Sequence, residues 1–287
     1  MTTRFFKPGS ISDAMDAYLK SDGTTHYFAG GTDLMVKLGP PGNTGHGFIS
    51  LERLSGLNRV QERPEDKIFI GAMTGLSEVA GSGLIAEHFP ALAAAAGSVG
   101  SPSIRNMGTI GGNVCNASPS ADTAPPLMVY GASAVVAGRD GEKTIPMDAF
   151  FTGPSTTCLK PGDILTGFML PKNPAIRAGF VKLGKRKAME CSIVSLGLSL
   201  EMDGAGKCGT VRIALGAVAP TPVRIVRAEK ILEGRPLEAE FIHRAAAAVA
   251  GDIHPIDDLR ATAGYRRKMA GRMVRETLLQ MCRQDHQ

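Results

Sequence analysis

The 287-residue chain contains no Trp and only 4 Tyr, so a surface that stacks bases on aromatic side chains has little to build with. A single-stranded nucleic-acid binder is disfavoured on that ground, and no nucleic-acid partner is expected. Cysteine is scarce and scattered. Cys115, Cys158, Cys191, Cys208 and Cys282 form no Cys-x-x-Cys pair, and their odd number does not suggest a disulfide framework. The six histidines include no His-Glu-x-x-His, so a zinc or iron–sulfur centre built by this chain alone is not expected and no metal ligand is assigned. No apolar run approaches the ~20 residues of a membrane span, and Met1 to Ser10 carries no apolar stretch behind Arg4, which makes a cytoplasmic protein the expectation. No fixed-period repeat is present. No nucleophile stands beside a base and no carboxylates pair at catalytic spacing, so no catalytic residue is assigned, and any chemistry is expected to come from a bound cofactor. Cys115 reads as a small buried hydrophobe.

What is present is ordinary globular material, 43% hydrophobic and 21% charged, rich in glycine at 35 residues. The formal net charge of +5 is uneven: residues 1–171 carry 12 Lys+Arg against 15 Asp+Glu, a balance of −3, and the remainder carries a balance of +8. The densest basic cluster, Lys182 to Lys187, reads as a solvated face or a partner interface.

Periodicity organises the chain. Arg4 to Lys7 reads as a strand, Ser10 to Lys20 as a helix, Thr25 to Ala29 as a strand, Thr32 to Leu38 as a helix and Phe48 to Leu54 as a strand. Asn58 to Gln61 and Lys67 to Gly71 suit a hairpin, Leu76 to Ala80 and Pro90 to Val99 suit helices, and Gly100 to Pro126 reads as a long irregular, functional segment. After a helix at Leu127 to Tyr130, a hairpin turning at Asp140–Gly141 and a strand at Asp163 to Leu170, the residues Pro171, Asn173 and Pro174 mark a boundary. Beyond it come three strands, Gly179 to Leu183, Ser192 to Met202 and Thr210 to Val218, then three helices, Arg224 to Glu233, Leu237 to Ala250 and Asp257 to Arg283. The pattern is α+β.

Two glycine loops carry the chemical signal: Ala29-Gly30-Gly31-Thr32-Asp33-Leu34 and Thr109-Ile110-Gly111-Gly112-Asn113. Paired glycines also make plain tight turns. Here, however, the first pair ends a strand and opens a helix, so its backbone N–H groups can converge on an anion. The second offers another such nest, with Thr109 and Asn113 adding hydroxyl and amide groups. Two cradles suit a diphosphate. Gly81 to Ala86 fits the dinucleotide pattern G-x-G-x-x-A but lacks a preceding strand, and reads as a turn. Gly179 to Lys185 fits G-x-x-x-x-G-K, yet Arg186 stands where a phosphate loop needs Ser or Thr.

With these loops in order, followed by Ala117-Ser118-Pro119-Ser120-Ala121-Asp122 and by a Pro-x-x-Asp-Leu-Arg-x-x-x-x-Tyr-Arg run from Pro255 to Arg266, the chain resembles the FAD-binding subunit of molybdenum hydroxylases. The likeness covers nearly the whole chain and extends to the subunits of bacterial xanthine dehydrogenase and carbon monoxide dehydrogenase. The resemblance implies a two-lobed FAD-binding domain of the vanillyl-alcohol-oxidase type at residues 1–173, with lobes of about 1–57 and 58–173, then an α+β flavoprotein domain at 174–287. It implies that Tyr27, Phe28, Ala29, Gly30, Gly31, Thr32, Asp33 and Leu34, together with Thr109, Ile110, Gly111, Gly112 and Asn113, hold the FAD diphosphate and ribityl chain. Ser118, Asp122, Leu165 and Lys182 are further implied contacts. It also implies a small [2Fe-2S] partner and a large molybdopterin partner in a dimer of heterotrimers, with electrons leaving the flavin for an acceptor such as NAD. The alternatives are a self-sufficient flavin oxidase and a non-redox nucleotide-binding or assembly module.

Overall fold

The structure is a computed structural model that describes residues 4–21, 23–39, 45–186 and 188–284. The chain opens with β1 (Arg4–Phe6), α1 (Ile11–Leu19), β2 (Thr25–Phe28), α2 (Leu34–Leu38) and β3 (Gly47–Ser50). β3 lies between β1 and β2 and runs parallel to both. Ser10 starts α1 by accepting the Asp13 N–H on its side chain at 3.1 Å. On α1, Ala14 and Met15 are buried, whereas Leu19 reaches solvent. β3 stops four residues before Leu54, because the chain turns back on itself where Leu54 N–H donates to Leu51 O.

A second sheet is antiparallel. Its strands are β4 (Val60–Arg63), β5 (Lys67–Gly71), β6 (Ser133–Gly138), β7 (Gly141–Pro146) and, after the small hairpin β8 (Phe151–Gly153) and β9 (Thr156–Thr157), β10 (Ile164–Pro171). They lie in the order β4, β5, β10, β6, β7. Ile68, Ile70 and Phe168 are wholly buried on this sheet; each such side chain contributes roughly 1.5–3 kcal/mol.

Between β5 and β6 the chain inserts α3 (Leu76–Gly81), α4 (Gly83–His88), α5 (Pro90–Ser98), α6 (Pro102–Met107), α7 (Ile110–Cys115) and α8 (Ala124–Val129). The stretch expected to be irregular, Gly100 to Pro126, therefore holds two complete short helices and the start of a third. The reason is local: Ser101 and Thr109 cap α6 and α7 with their hydroxyls, and Pro102 and Pro125 sit in first turns where a missing N–H costs nothing. Gly81 to Ala86 spans the junction of α3 and α4, where Ser82 caps the second helix, so the dinucleotide-like pattern is a helix boundary.

The third sheet is an antiparallel meander of β11 (Arg177–Leu183), β12 (Val194–Met202), β13 (Cys208–Gly216) and β14 (Val223–Arg224). Its inner face is covered by α9 (Val226–Leu232), α10 (Ala239–Ala248) and α11 (Ala263–Gln284), which together bury Ile213, Leu232, Ile242 and Leu278. The last helix begins six residues later than expected, because Asp257 to Thr262 form a loop tied down by the Asp258 carboxylate. The meander joins the helical insert through α8: Ser199 donates its hydroxyl to Val129 O at 2.9 Å, and Ala217 N–H donates to Pro119 O at 2.7 Å. Among the described residues, no helix is long and apolar enough to cross a membrane.

Candidate functional site

The first glycine loop leaves the carboxyl end of β2, where a parallel sheet most often presents its ligands. Gly31 takes φ +69°, a left-handed turn that folds the backbone over the Phe28 ring. Gly30 lies against the second loop, close enough that a Cβ there would overlap the Met107 carbonyl and the Gly108 backbone. The two glycine loops, 75 or more residues apart in sequence, thus touch, and the cleft between them has a volume of about 370 Å³.

Their backbones differ. Among the described residues, no protein acceptor meets the N–H groups of Gly30, Gly31, Thr32 and Asp33. In the second loop every N–H from Ile110 to Asn113 is taken: Ile110 donates to Thr74 O at 3.0 Å, Gly111 to Ala72 O at 2.8 Å, Gly112 to Thr109 Oγ1 at 3.0 Å and Asn113 to Thr109 O at 3.0 Å. The expectation of a second open nest is corrected accordingly. The first loop is the candidate anion cradle, its N–H groups left without protein acceptors, and the second is the wall it leans on.

Of the side chains expected at the site, Tyr27, Ala29, Gly30, Gly31, Thr32, Asp33 and Leu34 line the cleft from the first loop. Thr109, Gly112 and Asn113 line it from the second. The others lie elsewhere. Phe28 packs edge-on against Phe5 and Phe48 at 6.0 and 5.7 Å. Ile110 and Leu165 are core residues, and Gly111 packs on Ala72. Ser118 is half-buried and accepts the Ser120 N–H at 3.2 Å. Asp122 and Lys182 meet each other, Oδ2 to Nζ at 2.6 Å, and Lys182 also donates to Ser98 O at 3.0 Å while Ser192 donates its hydroxyl to Asp122 Oδ1 at 2.5 Å. Burial pushes the Asp122 carboxyl above its ordinary range, and the Lys182 charge and the Ser192 hydroxyl oppose that shift.

Further residues line the cleft or pack beside it. Tyr18 and Tyr27 stack at 4.8 Å with planes 17° apart, and Tyr27 donates its hydroxyl to Gly162 O at 3.0 Å. Burial pushes that phenol above its ordinary value, so it stays protonated. His26 meets His46 at 3.3 Å between Nε2 and Nδ1; burial first, and the neighbouring ring second, lower its pKa and favour neutral imidazole. Lys37 on α2 donates to Asn116 Oδ1 at 2.5 Å and supplies a cation beside the open N–H groups. Val99, Ile104 and Leu76 make an apolar stretch of the wall. Cys115, expected to be a buried residue, ends α7 with its side chain open to the cleft that it lines, yet the protein packed around that cleft desolvates the thiol and pushes it up to about 12. Lys187 of the basic cluster lies outside the described residues. Among the described residues, no group of three or more His, Cys, Asp or Glu is placed to hold a metal.

The donor set fits a dinucleotide diphosphate: four unpartnered backbone N–H groups, a lysine, a hydroxyl from Thr32, and flanking aromatic and aliphatic walls in a cleft of ligand size. Comparison with known proteins points to the same ligand. The family described as "FAD binding domain in molybdopterin dehydrogenase" matches residues 1–173, and "CO dehydrogenase flavoprotein C-terminal domain" matches residues 179–281. The chain is 31% identical over 274 residues to the carbon monoxide dehydrogenase medium chain of Afipia carboxidovorans, covering 96% of this chain and 94% of that one. It is 28% identical over 276 residues to a xanthine dehydrogenase FAD-binding subunit of Escherichia coli, with the same coverage of 96% and 94%. Its structure superimposes on a chain of carbon monoxide dehydrogenase from Hydrogenophaga pseudoflava with a TM-score of 0.90 at 27% identity, over 96% of both chains.

Proposed function

Because the chain belongs to the family of FAD-binding domains of molybdopterin dehydrogenases, we propose that it serves its complex as an electron relay, with FAD held in the cleft between the two glycine loops. FAD is the family's cofactor, and the chain is an oxidoreductase component. The observation that carries the assignment to this cleft is the row of open N–H groups from Gly30 to Asp33.

In this reading the cradle and Lys37 hold the diphosphate, Thr32 and Asn113 hold hydroxyls of the sugar and ribityl chain, and the Val99–Ile104 wall excludes water from the ring. Asp122 and Lys182 act one layer out, by fixing the strand β11 to the end of α5. A bound flavin supplies the conversion between one-electron and two-electron redox chemistry. The source of electrons is a small partner carrying [2Fe-2S] clusters, which are filled from a large molybdopterin partner, and the acceptor is a soluble two-electron carrier such as NAD. The complex is a cytoplasmic dimer of heterotrimers. Residues 1–173 form the cofactor domain, with lobes of about 1–57 and 58–173, and residues 174–287 form the second domain.

The test is flavin stoichiometry and reduction. Purified chain is expected to show flavin absorbance or to take up added FAD at one per chain. In the assembled complex substrate is expected to bleach that absorbance, while the isolated chain mixed with substrate does not. A colourless chain that refuses FAD contradicts the cofactor assignment. Bleaching of the isolated chain by substrate would favour a self-sufficient oxidase instead.

A further inference from the structure

Two loops outside the glycine cradle meet on the surface. One, described at residues 184–186 and 188–191, follows β11; the other, residues 254–262, precedes α11. Lys185 Nζ donates to Leu259 O at 2.7 Å, and the Arg260 guanidinium lies against the Cys191 thiol. Four large apolar side chains stand in the open on these loops and the first turn of α11: Leu259 is 98% exposed, Ile256 70%, Met189 62% and Tyr265 45%.

The platform beneath them is rigid. Asp258 accepts N–H groups from Arg260 and Ala261 at 2.8 and 3.1 Å and pairs with Arg266 at 2.7 Å; Arg266 is itself buried and donates to Ile193 O and Ala217 O. A loop held this firmly does not need a fully exposed Leu for its own stability. Several large exposed apolar side chains gathered on two touching loops over a fixed support are the mark of a protein interface.

Charge says what kind. The carboxylates here are committed internally: Asp257 accepts the Ala263 N–H, Asp258 holds Arg260 and Arg266, and Glu190 pairs with Arg186. Among the described residues, no carboxylate meets Lys185, Arg267 or Lys268. The rim is therefore cationic around an apolar centre. The patch also borders the cofactor cleft, since Met189 N–H donates to Gly100 O at 3.1 Å and Val99, the preceding residue, lines the apolar wall.

We propose that the described residues 184–186 and 188–191, together with the loop 254–262, dock the cluster-carrying chain of the complex, through a surface on that chain that is acidic around an apolar socket. This rests on the electron-relay reading above. It assigns a role to the basic C-terminal third that the cofactor site leaves unused.

The test uses the co-expressed complex, purified by a tag on this chain, with Leu259→Glu and Lys185→Glu. Both positions are exposed, so folding and flavin uptake are expected to stay at the native level. Leu259→Glu is expected to weaken partner binding by about tenfold or more, as truncation of an interface anchor does. Lys185→Glu is expected to weaken it less, with a shallower salt dependence than the native chain. Undiminished partner and iron content in both variants overturns the proposal. So does a loss confined to self-association of this chain, which would make the occupant a second copy. A native chain that recovers no partner overturns it too. Failure of the cofactor reading is separate, because it shows as absent flavin in the isolated chain whatever the partner does.

Discussion

The two glycine loops look like siblings in the sequence and do different work in the fold. Gly30, Gly31, Thr32 and Asp33 leave four N–H groups without a protein acceptor among the described residues; Gly111 and Gly112 have theirs closed by Ala72 and Thr109. Gly-Gly pairs remove side chains for two distinct reasons: to let a ligand approach backbone, or to let backbone approach backbone. Here one loop serves each purpose, and the contact of Gly30 with Met107 is where the two meet.

Substitutions should separate them. Gly30→Val drives a Cβ into the Met107 carbonyl and pushes the loops apart, so FAD binding is expected to fall by about a hundredfold or more, equivalent to losing roughly two hydrogen bonds to a charged group. Titration of the purified chain followed by fluorescence quenching checks it. The region beyond the second loop should show stability effects instead. Asp122→Asn leaves the Lys182 ammonium without its counter-charge in a buried setting, a loss of about 3–5 kcal/mol by denaturant unfolding. Gly111→Val overpacks against Ala72 and is expected to cost about 1–3 kcal/mol while the folded fraction keeps its flavin affinity. Thr109→Ala removes the cap of α7 for about 1 kcal/mol, read as a small drop in Tm. A flavin defect in folded Gly111→Val equal to that of Gly30→Val would erase the distinction.

The strands and long helices were legible because hydrophobic period is a local signal: β5 and β12 fall within two residues of where the pattern puts them, and α11 ends within one residue of its expected end although it starts six residues late. The glycine loops were legible as motifs, and their meeting was consistent with them. The use of their N–H groups was not legible, because the acceptors for Ile110 and Gly111 come from Thr74 and Ala72, a tertiary pairing that no local pattern encodes. The same holds for the pairing of Asp122 with Lys182, 60 residues apart, two residues expected at the cofactor that the fold brings together as an ion pair. Short capped helices such as α6 and α7 hide among Gly, Ser and Asn because their six residues are too few to show a period. Tyr18 stacks on Tyr27 and lines the cleft, a tertiary contact that the helical pattern of Ser10 to Lys20 does not encode.

Amide hydrogen exchange with and without added FAD tests the account most directly, because it reads the N–H groups themselves. Peptides covering Gly30 to Asp33 are expected to exchange fast in the flavin-free chain and to become protected on FAD addition, while Ile110 to Asn113 are slow in both states. Slow exchange in the first loop before FAD, or new protection confined to the second, would contradict the division of labour between them.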